Sequence, residues 1–252
     1  MGLQRPRPPA SDGTHLWVAN QGTSVTELNA SNGSLTQVLS GPSYGFNNPS
    51  ALAIDGTHLW VANSGGNSIT ELKLSNGKLV QVLAGSSYAF NNPIALTSDG
   101  THLWVANLRG NSVTELKLSN GKLVQVLSGS SYGFNGPTGL TSDGTHLWVA
   151  NFQGNSVTEL KLSDGRLVQV LSGSSYGFNG SGALASVGTH LWVANLRGNS
   201  VTELKLSNGK LVQVLLSSSH AFSGPSALAS VGTHLWAANA TGQSVIRLNL
   251  TP

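Results

Sequence analysis

Six histidines recur in one slot of this chain, His15, His58, His102, His146, His190 and His234, each two residues before a tryptophan. Asp12, Asp55, Asp99 and Asp143 stand three residues before the first four of them, and Glu27, Glu71, Glu115, Glu159 and Glu203 recur at a second fixed slot. Imidazole and carboxylate are the groups of acid–base catalysis and of metal ligation. A zinc site needs ligand nitrogens at ~2.0 to 2.1 Å from the ion. Copies related by a regular rotation all point in the same sense, and packed sheets lie ~10 Å apart, so one His meets the next unit's opposite face and not another His. Catalysis by paired carboxylates needs two environments that push their pKa values apart. A repeated slot supplies one environment several times. Each His is therefore expected to open a strand and to hydrogen-bond near its own unit. The glutamates, followed two residues later by Lys73, Lys117, Lys161 and Lys205, are expected to form a weakly stabilising charge pattern on a strand face. No nucleophile elbow, phosphate-binding loop or zincin motif occurs. No catalytic residue, metal or cofactor is expected, and the reading is non-enzymatic.

Recognition groups are sought instead where the copies differ. One short loop reads Gln21 to Thr23 (QGT) in the first unit and then SGGN, LRGN, FQGN, LRGN and ATGQ, between flanks that barely change. Leu108, Arg109, Phe152, Gln153, Leu196 and Arg197 would give one face two arginines and three exposed apolar groups, residue types used at interface hot spots. On the same face Tyr44, Tyr88, Tyr132 and Tyr176, with His220 in the fifth copy, accompany Phe46, Phe90, Phe134, Phe178 and Phe222. The phenylalanines are expected to plug seams between units. Tyr132 and Tyr176 are candidates for a repeated carbohydrate site that would gain by multivalency.

The elements that position these groups follow from the repeat. Trp17, Trp60, Trp104, Trp148, Trp192 and Trp236 sit in near-copies of GTHLWVAN, spaced 43 and then 44 residues apart, and a period of that length marks stacked units that cannot bury their apolar faces alone. In the unit from Pro137, a short strand ends at Asp143-Gly144. HLWVA returns as a strand apolar on both faces and hence sandwiched. SVTELKL, Ser156 to Leu162, is a third strand, and Arg166 to Leu171 a fourth. Asp-Gly and Asn-Gly pairs (Asn76-Gly77, Asn120-Gly121, Asp164-Gly165, Asn208-Gly209) read as two-residue type I′ hairpins, which would put Leu118 opposite Leu123 and Leu116 opposite Gln125. The segment Gly129 to Pro137 is a connection between units. Small first-strand residues such as Ala51, Ala53, Ala227 and Ala229 suit a crowded position.

The pattern P-x-x-L-x-x-D-G, LWVAN, GNSVTEL and NGKLVQVL resembles NHL and YVTN repeats and the related virginiamycin B lyase-like propellers, over about residues 11 to 250. The resemblance implies a β-propeller. Lyase relatives are metal-dependent and use His and Glu at unrepeated places; here those residues stay in repeat slots, and no lyase residue is carried over.

The fold expected is an all-β, six-bladed propeller of four-stranded antiparallel blades spanning residues 11–252, preceded by a Pro-rich segment, 1–10. The last unit stops after its third strand, and prolines 6, 8 and 9 suit a central strand poorly because each lacks a donor. The exposed edge left there is an association liability, so the chain is expected to be a monomer or to self-associate through its incomplete last blade. Thirteen basic against ten acidic residues lie scattered without a Lys/Arg run, which argues against nucleic acid. No apolar run approaches the ~20 residues of a membrane helix. MGLQRPRPPA lacks the apolar core of a secretory signal, and cysteine is absent, so an extracellular location would need a leader absent from this sequence. The partner expected is a protein, with a glycan (a multivalent lectin) as the alternative; a third reading is an amplified or designed repeat with no evolved ligand.

Overall fold

The computed structural model describes residues 8–232 and 234–250. Every repeat folds into one antiparallel sheet whose strands lie in sequence order, and the protein is an all-β, six-bladed propeller. In blade 3 the four strands are Pro93–Ser98, His102–Asn107, Ser112–Lys117 and Leu123–Ser128. Blade 6 has three, Pro225–Val231, His234–Asn239 and Ser244–Asn249, as the sequence implies. The first strand of blade 1 is only Ala10–Ser11, paired with Trp17 and Leu16. Most of the Pro-rich segment, including Pro6, falls outside the described residues. Two compact units divide at Ser128/Gly129 and hold three blades each.

HLWVAN forms the second strand of blades 2 to 5 and is buried on both faces, as an unbroken apolar run requires. Within each compact unit its Trp belongs to the seam with the following blade. Trp60, Ile69 and Leu83 of blade 2 pack with Leu103, Val105 and Leu116 of blade 3, and Phe90 from the connecting segment plugs that seam. Trp148, Val157 and Leu171 meet Leu191, Val193 and Leu204 around Phe178 in the same way. Burying one Trp is worth up to about 4–6 kcal/mol on area grounds. First strands approach so closely that a Cβ on Gly139 would collide with the Gly182 carbonyl, which accounts for the small residues there.

The hairpins differ from expectation. Type I′ turns need positive φ at both central residues, yet at Asp143-Gly144 only the glycine has it, at 90°. Asp143 instead accepts hydrogen bonds on Oδ1 from the backbone N–H groups of Thr145 (2.9 Å) and His146 (2.7 Å), closing the turn with its side chain. At the other hairpin Gly121 N–H bonds to Lys117 C=O (2.8 Å) and Lys117 N–H to Lys122 C=O (2.9 Å), a four-residue loop. Leu116 therefore pairs with Leu123 and Glu115 with Gln125 across a bulge. The expected pairings Leu118–Leu123 and Leu116–Gln125 do not form.

Candidate functional site

The chemistry-bearing residues fall at opposite ends of each blade. At the hairpin end of blade 4, Asp143 receives the Trp148 Nε1–H (3.0 Å) as well as Thr145 Oγ1–H (2.8 Å). Thr145 Oγ1 and His146 Nδ1 share a 2.9 Å bond, and His146 Nε2 lies 3.7 Å from Glu159 Oε1. Glu159 is buried and accepts Gln169 Nε2–H at 2.6 Å. The expected Glu–Lys pattern is thus overturned. The glutamates face inward beside His and a fourth-strand Gln, while Lys73, Lys117, Lys161 and Lys205 stand exposed.

Burial raises the Asp55, Asp99 and Asp143 carboxyls, but the Trp indole, the two backbone N–H groups and the Thr hydroxyl outweigh it and hold them below the usual range. Burial raises Glu71, Glu115 and Glu159 above theirs, the Gln bond and the nearby His only partly offsetting it. Two kinds of carboxylate environment do therefore coexist, contrary to the one-environment expectation, and both belong to a clamp repeated along the chain. No three His, Asp or Glu side chains come together in a metal-holding group among the described residues. Blades 5 and 6 carry Val187 and Val231 in the Asp slot, and blade 6 carries Arg247 in the Glu slot.

At the opposite end the variable loop is tied to the connecting segment. Leu108 and Arg109 N–H groups donate to the Asn92 and Asn91 carbonyls (3.0 and 3.2 Å), Phe152 and Gln153 to Gly136 and Asn135 (2.8 and 3.1 Å), and Leu196 and Arg197 to Gly180 and Asn179 (both 3.1 Å). This places both segments on one face, as expected. Beneath each loop a buried Asn pins the strand end: Asn107 Nδ2 donates to Thr114 Oγ1 (3.0 Å), whose hydroxyl donates to the Tyr88 carbonyl (2.9 Å). Sequence reading passed over this slot, Asn63, Asn107, Asn151, Asn195 and Asn239. Its signal was a polar residue at the same place in every apolar strand.

Arg197 lies with its guanidinium carbon 4.5 Å from the centroid of the Phe152 ring, a cation–π contact. Gly180, at φ 67°, is the floor they share: a Cβ there would sit 3.0 Å from both Phe152 Cε2 and Arg197 Cγ. Arg109, Gln153 and Arg197 are exposed, and Leu108 and Phe152 half-buried. Leu196 is buried at 6% exposure, so it is not the exposed apolar group expected. Tyr132 and Tyr176 are half-buried, stacked on Phe134 and Phe178 with centroids 5.3 and 5.1 Å apart, so one ring face of each is covered. Within blades 2 and 3 a depression at this end is lined by Asn67, Asn91, Ser112, Ser128, Ala89 and Val126 among others.

No family description matches the chain, and no curated protein sequence does. Among solved structures, a streptogramin B lyase shares the fold with a TM-score of 0.76 at 17% identity, over 96% of this chain and 78% of that one.

Proposed function

We propose that this protein is a non-enzymatic binding scaffold that recognises a protein partner through its variable loops. The observation that carries the reading is the Phe152–Arg197 pair: a half-buried ring under an exposed guanidinium, on loops held by backbone bonds and so ordered before any ligand arrives. Such pre-organisation lowers the cost of binding. Leu108, Arg109 and Gln153 extend this chemistry on their own loops. Panning a displayed peptide library tests it. Ligands whose binding falls at least tenfold with Phe152→Ala or Arg197→Ala support the reading; ligands indifferent to both contradict it.

A second reading, a lectin, is supported within one unit by Tyr132 and Tyr176, each half-buried with one ring face stacked on Phe134 or Phe178. A glycan array with Tyr132→Ala and Tyr176→Ala decides it, since binding must be present and then lost. The fold shared with a streptogramin B lyase supports a third. Chromatographic loss of an intact streptogramin B incubated with the protein and a divalent cation would establish a lyase and end the scaffold reading as stated.

A further inference from the structure

Blade 2 is the middle blade of one compact unit, with blade 1 packed on one face and blade 3 on the other. Its outer edge is the fourth strand, Leu79–Leu83, the last in the order of its sheet, and no described strand pairs with its far side. A row of backbone N–H and C=O groups therefore faces outward, a template on which another strand can pair. Folded chains often blunt such edges with charge or proline. Leu79–Leu83 reads LVQVL, apolar apart from Gln81 and without charge, proline or glycine. Leu79, Val80 and Val82 are 37%, 42% and 37% exposed. Gln81 is already engaged, donating to Glu71 Oε2 (2.6 Å) and to the Asn120 carbonyl (3.3 Å), so it brings no unsatisfied amide donor into a contact.

The segment is a palindrome about Gln81. In an antiparallel pair centred there, Gln81 meets Gln81 of a second copy, Val80 meets Val82, and Leu79 meets Leu83, so each residue faces its own kind and the exposed valines of both chains cover one another. Lys78 falls opposite Ala84, and no like charges meet. We propose that Leu79–Leu83 is a dimerisation strand whose partner is the same strand of a second copy. A twofold contact uses the same patch on both chains and closes at two copies. Blade 1 offers no such match, because its LTQVL sets Thr36 against Val38. Blades 3, 4 and 5 repeat LVQVL, but Val126, Val170 and Val214 are half-buried where Val82 is exposed, which singles out blade 2. The contact makes no use of the variable loops, and its failure leaves the scaffold reading untouched.

Light scattering after size exclusion, on the full chain over a wide concentration range, tests the inference. The wild type is expected to double in mass with concentration and to go no further. Val80→Lys with Val82→Lys sets lysine against lysine twice across the twofold and is expected to stay monomeric at every concentration. Val80→Lys with Val82→Glu sets lysine against glutamate twice and is expected to dimerise again, now in a salt-sensitive way. Should the double lysine variant lose its native circular dichroism, Val80→Lys alone replaces it. Val124→Lys with Val126→Lys, in blade 3, is expected to keep the wild-type dimer. A wild type that is monomeric throughout or grows past a dimer, a double lysine variant that still dimerises, a lysine–glutamate variant that does not, or a dimer abolished from blade 3 would each overturn the proposal.

Discussion

Blades 3 and 6 share their strand order through the third strand and differ in the slots that complete a blade. Blade 3 has Asp99 bonded to the Trp104 indole, Glu115 bonded to Gln125, and a fourth strand whose Leu127 is buried. Blade 6 has Val231, Arg247 and, among the described residues, no fourth strand. Trp104 is fully buried and Trp236 is not. Blade 5 separates the contributions. It keeps its fourth strand, and Trp192 remains buried, yet with Val187 in the Asp slot the Trp192 Nε1–H has no hydrogen-bond partner. The neighbouring blade and fourth strand thus bury the ring, while in blades 2 to 4 the aspartate satisfies its polar edge; Asp12 of blade 1 turns to Thr14 and His15 and leaves the Trp17 indole unpaired.

The largest effect should come from removing the ring itself. Trp148→Ala is expected to cost about 3–5 kcal/mol, whereas Trp236→Ala, with 38% of its surface already open to water, should cost less, roughly three-fifths as much by the area argument. Thermal unfolding of the two variants measures the contrast, at about 2–4 °C per kcal/mol for a chain of this size. Equal losses would break the comparison.

Exchanging the polar slot sharpens it. Asp99→Val leaves the Trp104 Nε1–H and the turn N–H groups without their acceptor, an expected loss of about 1–3 kcal/mol. Val187→Asp gives the orphaned Trp192 Nε1–H an acceptor and is expected to raise stability by up to about 1 kcal/mol. Denaturant midpoints of the two variants should move in opposite directions.

The paired carboxylates then predict opposite pH dependences. Asp99 has a folded pKa below its ordinary 3.8, so its contribution is full above that value and is lost as pH falls through the folded one. Glu115 has a folded pKa above its ordinary 4.5, so its contribution is full below that value and is lost as pH rises through the folded one. Glu115→Gln should therefore gain over the wild type as pH rises from acid to neutral, and Asp99→Asn should flatten the acid limb. Melting temperatures across that range check both signs.

The smallest effect concerns backbone strain at the loop end. Ala89 holds φ 52° where three other copies carry Gly45, Gly133 and Gly177. Ala89→Gly is expected to stabilise by about 0.5–1 kcal/mol, read from the denaturant midpoint.

Much of the fold was legible because the Trp period fixes the number of blades. Register was not. Asn120-Gly121 has the composition of a two-residue turn, but a four-residue loop with a bulge forms, shifting Leu116 onto Leu123. The glutamates were misjudged for a related reason: alternation along SVTELKL places Glu and Lys on one strand face, and only the neighbouring Gln and His reveal that Glu lies inward. At the candidate site Leu108 and Leu196, identical in local sequence, differ in exposure although the same backbone bonds pin both loops. The Phe152–Arg197 pair joins loops of adjacent blades, 45 residues apart in the chain, a juxtaposition that no local motif announces.

Within each compact unit a following blade and a fourth strand shield the tryptophan, as at Trp60 and Trp148, whereas Trp236 is 38% exposed. Acrylamide quenching of the intrinsic fluorescence tests this directly. A minor, readily quenched component that disappears in Trp236→Phe is the expected result. Uniform protection of all six indoles, or a quenchable component that survives the substitution, would contradict it.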